Sequence, residues 1–333
     1  MKLLVTLAIA ALAIAVPAGA EEVQDWSAPD SVHMVEVEGG RVWVRVNGDL
    51  EAAALPAIFI HGGPGGTHDV FGGLISMADE RAVILYDQLD SGMSDRPEDP
   101  ANWRVERFVG ELEAIRQALG VERWHVVGHS WGAALALEYA AAYPQHTASA
   151  VLAGTYISTA HWIIGTNLLI GDLPDATAAA IRTCIAGGTP EGMTCEEADR
   201  TFYANFNGRP DRPASTPERQ AYLRAYSGKG WNPKVYNAMW GPTEYVATGS
   251  LSTYDATPLL TRTEGERILF MVGQYDEAQL DQVLDFVRLT PGSELAVVPG
   301  GSHSSFGERP YETEAILRAR LGRKDPPQRD GQE

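Results

Sequence analysis

Gly128-His129-Ser130-Trp131-Gly132 places a serine between two glycines, after Trp124-His125-Val126-Val127 and before Ala133-Ala134-Leu135-Ala136-Leu137. Strand character ahead of it and helix propensity behind it make this a G-x-S-x-G elbow, a sharp strand-to-helix turn that presents the serine hydroxyl. The glycines leave space where a Cβ would crowd that turn. A serine attacks a carbonyl at neutral pH only with a base to take its proton, an acid to orient the base, and donors for the oxyanion. Ile268-Leu269-Phe270-Met271-Val272 opens into Gly273-Gln274-Tyr275-Asp276-Glu277, and Leu295-Ala296-Val297-Val298-Pro299 leads to Gly300-Gly301-Ser302-His303. Asp276 is the candidate acid, with the adjacent Glu277 as the alternative, and His303 is the candidate base. Upstream, Ile58-Phe59-Ile60 runs into His61-Gly62-Gly63-Pro64-Gly65-Gly66. The backbone N–H groups of Gly63 and Trp131 are assigned to the oxyanion hole, where loss of one donor costs ~3–4 kcal/mol of barrier. Of the remaining histidines, His61 reads as support for that loop and His129 as a free position of the elbow. His33, His68, His125, His146 and His161 read as surface or packing residues.

Ser130, Asp276 and His303 each follow a strand, in the chain order that α/β-hydrolases use. The alternating segments Val35-Glu36-Val37-Glu38 and Arg41-Val42-Trp43-Val44-Arg45-Val46 predict an antiparallel hairpin. From Ile58 onward strands alternate with helices, which predicts an α/β fold with a mostly parallel, doubly wound sheet. Ala82-Val83-Ile84-Leu85-Tyr86 and Ala150-Val151-Leu152-Ala153 are further strands, and residues 103–119 form an amphipathic helix ended by Gly120. Between residues 156 and 249 the strand rhythm stops, and helical pieces at 176–185 and 217–226 predict an inserted helical cap over the site. The organisation is thus a first core part at 21–155, the cap at 156–249, a second core part at 250–321, and a solvated tail at 322–333.

Residues 1–20 read as a secretory leader, with Lys2, an apolar stretch too short to span a bilayer, and Ala18-Gly19-Ala20 before Glu21-Glu22. This predicts an exported, periplasmic or extracellular protein without stable membrane association. Cys184 and Cys195 are the two cysteines of the chain. They would pair in an oxidising compartment, closing a short loop worth roughly 3 kcal/mol, and stay free in a reducing one. No histidine or further cysteine lies nearby at metal-ligand spacing. The net charge of −18, one unit more negative without Lys2, disfavours nucleic acid and anionic lipid as partners.

Several segments together resemble the proline iminopeptidase family of serine aminopeptidases, including the tricorn-interacting aminopeptidases. They are His61-Gly62-Gly63-Pro64-Gly65, Tyr86-Asp87-Gln88-Leu89-Asp90-Ser91-Gly92-Met93-Ser94-Asp95-Arg96-Pro97, Gly128-His129-Ser130-Trp131-Gly132, Tyr236-Asn237-Ala238-Met239-Trp240-Gly241-Pro242-Thr243-Glu244-Tyr245 and Gly273-Gln274-Tyr275-Asp276-Glu277. The resemblance implies an α/β-hydrolase fold and release of an N-terminal residue, proline or another small apolar one, from short peptides or amides. It also implies that Glu244, in the G-P-x-E segment, and Glu277 bind the substrate's α-ammonium, a role that composition alone does not reveal. Two converging carboxylates suit that task through charge-assisted hydrogen bonds. The chemistry calls for neither a metal nor an organic cofactor. The family usually carries glycine where Asp90 stands, often arginine where Met93 stands, and threonine-proline after the acidic pair. These departures flank the triad and bear on specificity. Trp131, Trp240, Tyr245 and Phe306 are candidates for a pocket wall and equally for core packing. Two other readings use the same residues: an esterase or lactonase for uncharged acyl substrates, and a binding protein on a hydrolase fold, which would need a broken triad.

Overall fold

A strand buried along its whole length needs both faces of its sheet covered. Four such runs, β3 (Ala57–Ile60), β4 (Val83–Tyr86), β5 (Trp124–His129) and β6 (Thr147–Ala153), are buried throughout, as is β7 (Ile268–Gly273). The computed structural model describes residues 26–326, so the leader read at 1–20 lies outside the described residues. The hairpin β1 (Ser31–Val37) and β2 (Gly40–Asn47) forms one edge, and β8 (Glu294–Val298) forms the other. The eight strands lie in the order β1-β2-β4-β3-β5-β6-β7-β8. β2 pairs with β4 antiparallel, and every pairing from β4 to β8 is parallel.

Alternate side chains of each strand feed opposite cores, as the two-residue period demands. Ile58, Val126, Leu152 and Phe270 pack beneath α1 (Val105–Ala118) and α2 (Trp131–Ala142). Phe59, Val127, Val151 and Leu269 pack on the opposite face against a 3₁₀ helix, His68–Asp79.

Between β6 and β7 the chain leaves the sheet and builds α3 (Thr159–Asp172), α4 (Asp175–Ile185), α5 (Cys195–Phe206), α6 (Pro217–Tyr226) and α7 (Pro233–Met239). Their starts are written locally: Thr194 and Glu197 form a reciprocal capping box, and Thr216 and Asn232 cap helices that open with proline. Ile170, Ile181, Ala198, Phe202 and Tyr245 give these helices a small core of their own. Cys184, ending α4, is disulfide-bonded to Cys195, opening α5, so the cysteines are paired. The chain then adds α8 (Thr257–Leu260) before β7, α9 (Leu280–Leu289) before β8, and α10 (Ser305–Glu308) and α11 (Pro310–Gly322) after it. Val283 and Phe286 of α9 join the first core, and Leu317 and Leu321 of α11 join the second.

The solvated tail read at 322–333 requires correction at Gly322, which ends α11, and at Asp325. Asp325 returns to the body, where it accepts from Arg81 Nη2 at 2.9 Å and from the Leu55 N–H at 2.9 Å, and meets His125 Nε2 at 3.1 Å. Arg81 and His125 are buried at the foot of the sheet, and a carboxylate supplied from the tail is what makes burying Arg81 tolerable. Asp325→Ala is therefore expected to destabilise the fold by about 2–4 kcal/mol by leaving Arg81 uncompensated. A urea midpoint equal to wild type would show that the anchor carries no stability.

Candidate active site

Parallel strands bring their carboxyl ends to one rim of the sheet, and the loops leaving β3, β5, β7 and β8 carry the candidate residues. Ser130 sits in the left-handed region at φ 56° and ψ −121°, directly between β5 and α2. A Cβ on Gly128 would lie 2.0 Å from the Gly132 carbonyl oxygen, and one on Gly132 would lie 2.0 Å from that of Ile60. No larger residue fits at either place without moving backbone. The strained serine is held by its own N–H, which donates to the Ala153 carbonyl at 2.8 Å.

His303 Nδ1 lies 2.8 Å from Asp276 Oδ1. The carboxylate is itself fixed, accepting from the N–H groups of Ala278 at 2.8 Å and Gly273 at 3.0 Å. Asp276, not Glu277, is thus the partner of Nδ1. The other ring nitrogen, Nε2, faces Glu277 Oε1 at 3.5 Å; it makes no hydrogen bond to Ser130 Oγ in this arrangement. Trp131 N–H lies at the first helical position of α2, where no intrahelical acceptor exists. Gly63, at φ 115°, lines the same narrow cavity as Ser130, Trp162, Trp240, Glu244 and Leu251.

Glu244 and Glu277 converge on this site. Tyr236 donates its hydroxyl to Glu244 Oε1 at 2.6 Å, and Asn207 Nδ2 donates to Glu277 Oε1 at 2.6 Å. Glu277 Oε2 is buried with no hydrogen-bond partner among the described residues. Neither glutamate has an ion pair with lysine or arginine among those residues. Burial raises the pKa of both, and for Glu277 the nearby Glu244 charge raises it further, to well above the usual carboxylate range. Burial opposes protonation of His303, but Glu277, Asp276 and Glu244 together outweigh it and lift its pKa to about 9.

Several residues that sequence reasoning passed over complete the site. The Phe206 carbonyl accepts from the N–H groups of Glu277 (3.2 Å) and His303 (3.0 Å), and the Asn207 carbonyl accepts from Ser304 N–H at 2.9 Å. Buried Glu308 takes Ser302 N–H at 2.7 Å, the Ser302 hydroxyl at 2.9 Å and the Arg209 N–H. Residues 206–209 are thereby fastened directly to the histidine loop. His129 is not a free position: its Nε2 lies 2.7 Å from the His303 carbonyl oxygen. Burial, then the His303 charge, push its pKa down to about 3, so it stays neutral and donates. His61 supports the oxyanion loop as expected, with Nδ1 2.9 Å from the Gly62 carbonyl oxygen and Nε2 accepting from Gln88 N–H at 3.0 Å.

Among the pocket-wall candidates, Trp240 lines the cavity, together with Trp162 and Tyr156. Phe306 packs in the core against Phe71 and His129, and Tyr245 belongs to the cap core. Trp131 contributes backbone to the rim, while its indole donates to Gln88 at 3.0 Å and packs on Phe108. Asp90 occupies the left-handed region at φ 70°, and accepts from Glu98 N–H at 2.7 Å and Trp103 Nε1 at 2.8 Å. An aspartate tolerates that conformation better than most residues, which accounts for its standing where glycine is usual.

Residues 56–310 match the α/β-hydrolase fold family, the class that the sheet order and the serine elbow define. A proline iminopeptidase of Heyndrickxia coagulans is 34% identical over 283 residues, 85% of this chain and 96% of that relative. One from Levilactobacillus brevis is 32% identical over 291 residues, 86% of this chain and 94% of its own. The crystal structure of the proline iminopeptidase of Mycobacterium smegmatis superposes with a TM-score of 0.76 at 32% identity, covering 89% of this chain and 99% of that one. The chain belongs to the proline iminopeptidase family of α/β-hydrolases.

The raised pKa of His303 has a definite sign in solution. Its charged form stabilises the native state fully below about pH 6.5, the unfolded value, and that contribution is lost as pH rises through about 9. In an NMR titration the His303 ring is expected to change charge near pH 9, and Glu277→Gln to move that midpoint down. A midpoint indifferent to Glu277→Gln would mean that this carboxylate does not govern the imidazole.

Proposed function

We propose that the protein is a serine aminopeptidase that releases an N-terminal residue, proline or another small apolar one, from short peptides or amides. The observation that carries this reading is the pair of buried glutamates, Glu244 in the cavity of Ser130 and Glu277 against His303, with no lysine or arginine among the described residues to balance them. An α-ammonium is the cation that would satisfy both, through charge-assisted hydrogen bonds in a narrow cavity. Seated there, it places only the first carbonyl of a peptide within reach of Ser130.

The steps follow from the groups present. His303 Nε2 takes the Ser130 proton while Asp276 holds Nδ1 and stabilises the imidazolium. Ser130 Oγ bonds to the carbonyl carbon, and the N–H groups of Gly63 and Trp131 stabilise the oxyanion. The tetrahedral species collapses as His303 returns the proton to the leaving nitrogen, giving a free amine and an acyl-serine. A water molecule, deprotonated by the same imidazole, then releases the amino acid and restores Ser130. Substrate binding also prepares the base. In the empty site Glu277 lies against Nε2 and favours a charged imidazole. An incoming ammonium takes over that carboxylate, the His303 pKa falls, and Nε2 is freed to serve Ser130. An uncharged ester makes no such exchange, which favours the peptidase over an esterase. We place the reaction outside the cytoplasm; the leader read at 1–20 and the paired cysteines support this, since disulfides persist in oxidising compartments.

The test is hydrolysis of proline and alanine anilides beside a short-chain acyl ester by wild type, Ser130→Ala and Glu244→Gln. Anilide turnover is expected in wild type, with loss in Ser130→Ala. Glu244→Gln is expected to cost about 2–5 kcal/mol in anilide recognition. Cleavage of the ester alone, unaffected by Glu244→Gln, would make the protein an esterase or lactonase.

A further inference from the structure

The cavity at Ser130 is small, about 10 Å³, with room for about one water molecule. A second cavity of about 10 Å³ adjoins it, lined by Ser158, Gly165, Glu277, Gln279, Val283 and Phe286 among others. Among the described residues Trp162 alone lines both, so its indole is the wall between them. That wall is well braced. The indole packs at steep angles against Tyr156 at 5.7 Å, Trp240 at 6.4 Å and the His303 ring at 5.4 Å. Its Nε1 donates to the Glu244 carbonyl at 2.9 Å.

The two buried glutamates fall on either side of this wall. Glu244 lines the cavity of Ser130, and Glu277, which reaches His303 Nε2 at 3.5 Å, lines the second cavity. An ammonium shared by both carboxylates therefore sits beside Trp162. The side chain of an N-terminal residue springs from the carbon bonded to that nitrogen, so Trp162 is the surface it meets. A proline side chain closes back onto its own nitrogen and stays compact, whereas a phenylalanine side chain projects outward into the indole. Behind the indole, the second cavity is bounded by apolar Val283 and Phe286 and by Gly165, which contributes no side chain.

We propose that Trp162 sets the upper size of the N-terminal residue, and that the cavity behind it is a latent extension of the pocket which the indole closes off. This rests on the aminopeptidase reading and deepens it. Substrates beginning with proline or a smaller residue are accepted, and those beginning with a bulky aromatic residue are turned away by a clash with one side chain. Taking that side chain away joins the two cavities and admits the larger residue without disturbing either glutamate side chain.

The experiment measures kcat/KM for proline and phenylalanine anilides with wild type, Trp162→Ala and Trp162→Phe. Wild type is expected to favour proline by at least about tenfold, and Trp162→Ala to shift that ratio toward phenylalanine by about tenfold. Trp162→Phe keeps a ring in the wall but loses the bond to the Glu244 carbonyl, and is expected to retain the proline preference. An unchanged ratio in Trp162→Ala, or an equal shift in Trp162→Phe, would overturn the wall. Trp162→Leu takes the place of the alanine variant if that one does not fold. Calorimetric titration of these variants in a Ser130→Ala background, with prolinamide and phenylalaninamide, reads the same preference without turnover. No gain in phenylalaninamide binding on opening the wall also overturns it. Should no anilide be cleaved while esters are, the aminopeptidase reading falls. The ratio of phenylacetyl to acetyl ester turnover then decides the wall, which stands if Trp162→Ala raises it and falls if the ratio stays level.

Discussion

Negative charge concentrated around one imidazole is the constraint on which the site depends. Asp276, Glu277 and Glu244 crowd His303 in a narrow, buried site, where an uncompensated ion costs several kcal/mol. The charged imidazole is the counter-ion available to them, and it carries the arrangement while the cavity is empty. Tyr236 and Asn207 supply the remaining compensation, each donating one short hydrogen bond to one glutamate oxygen. On the reading proposed above, an incoming cation relieves this crowding and frees the base.

The fold contributes placement. Parallel strands deliver four loops to one rim, and the two elbow glycines let α2 approach β3 closely enough for the Ser130 turn to form. The cap contributes more than a roof. Its residues 206–209 run along the histidine loop and supply carbonyls to the N–H groups of Glu277, His303 and Ser304. His129, inside the elbow, reaches the carbonyl of His303 from the other side. The loop is therefore held by backbone bonds from the cap and by the side chain of His129.

Much of this was legible in the sequence, for identifiable reasons. Ser130, Asp276 and His303 stood out because each follows a short run rich in apolar residues that reads as a strand, the signature that a covered parallel sheet leaves. Glu244 and Glu277 were legible only through resemblance to a family; as isolated glutamates in loops they carry no local signal. Asn207 had none at all, since its role arises where a cap segment meets a loop 70 residues away. Tyr236 lay in the same quoted segment as Glu244, eight residues ahead, and that spacing becomes meaningful only once α7 turns it inward. Asp325 was read as part of a solvated tail because charge and proline dominate its neighbourhood. Its partner Arg81 lies 244 residues earlier, beyond the reach of any pattern argument.

The bonds between residues 206–209 and the histidine loop also limit how the cavity can open. Lifting the cap as one rigid lid would pull the carbonyls of Phe206 and Asn207 off the very loop that carries the base, so every opening would dismantle the machinery it was meant to expose. The cavity wall shares that restraint: Trp162 and Trp240 are buried, and their indole N–H groups donate to the Glu244 carbonyl at 2.9 Å and the Thr243 carbonyl at 2.8 Å. Cap, wall and catalytic loop are thus stitched into one piece, and a wide swing of any one of them strains the others.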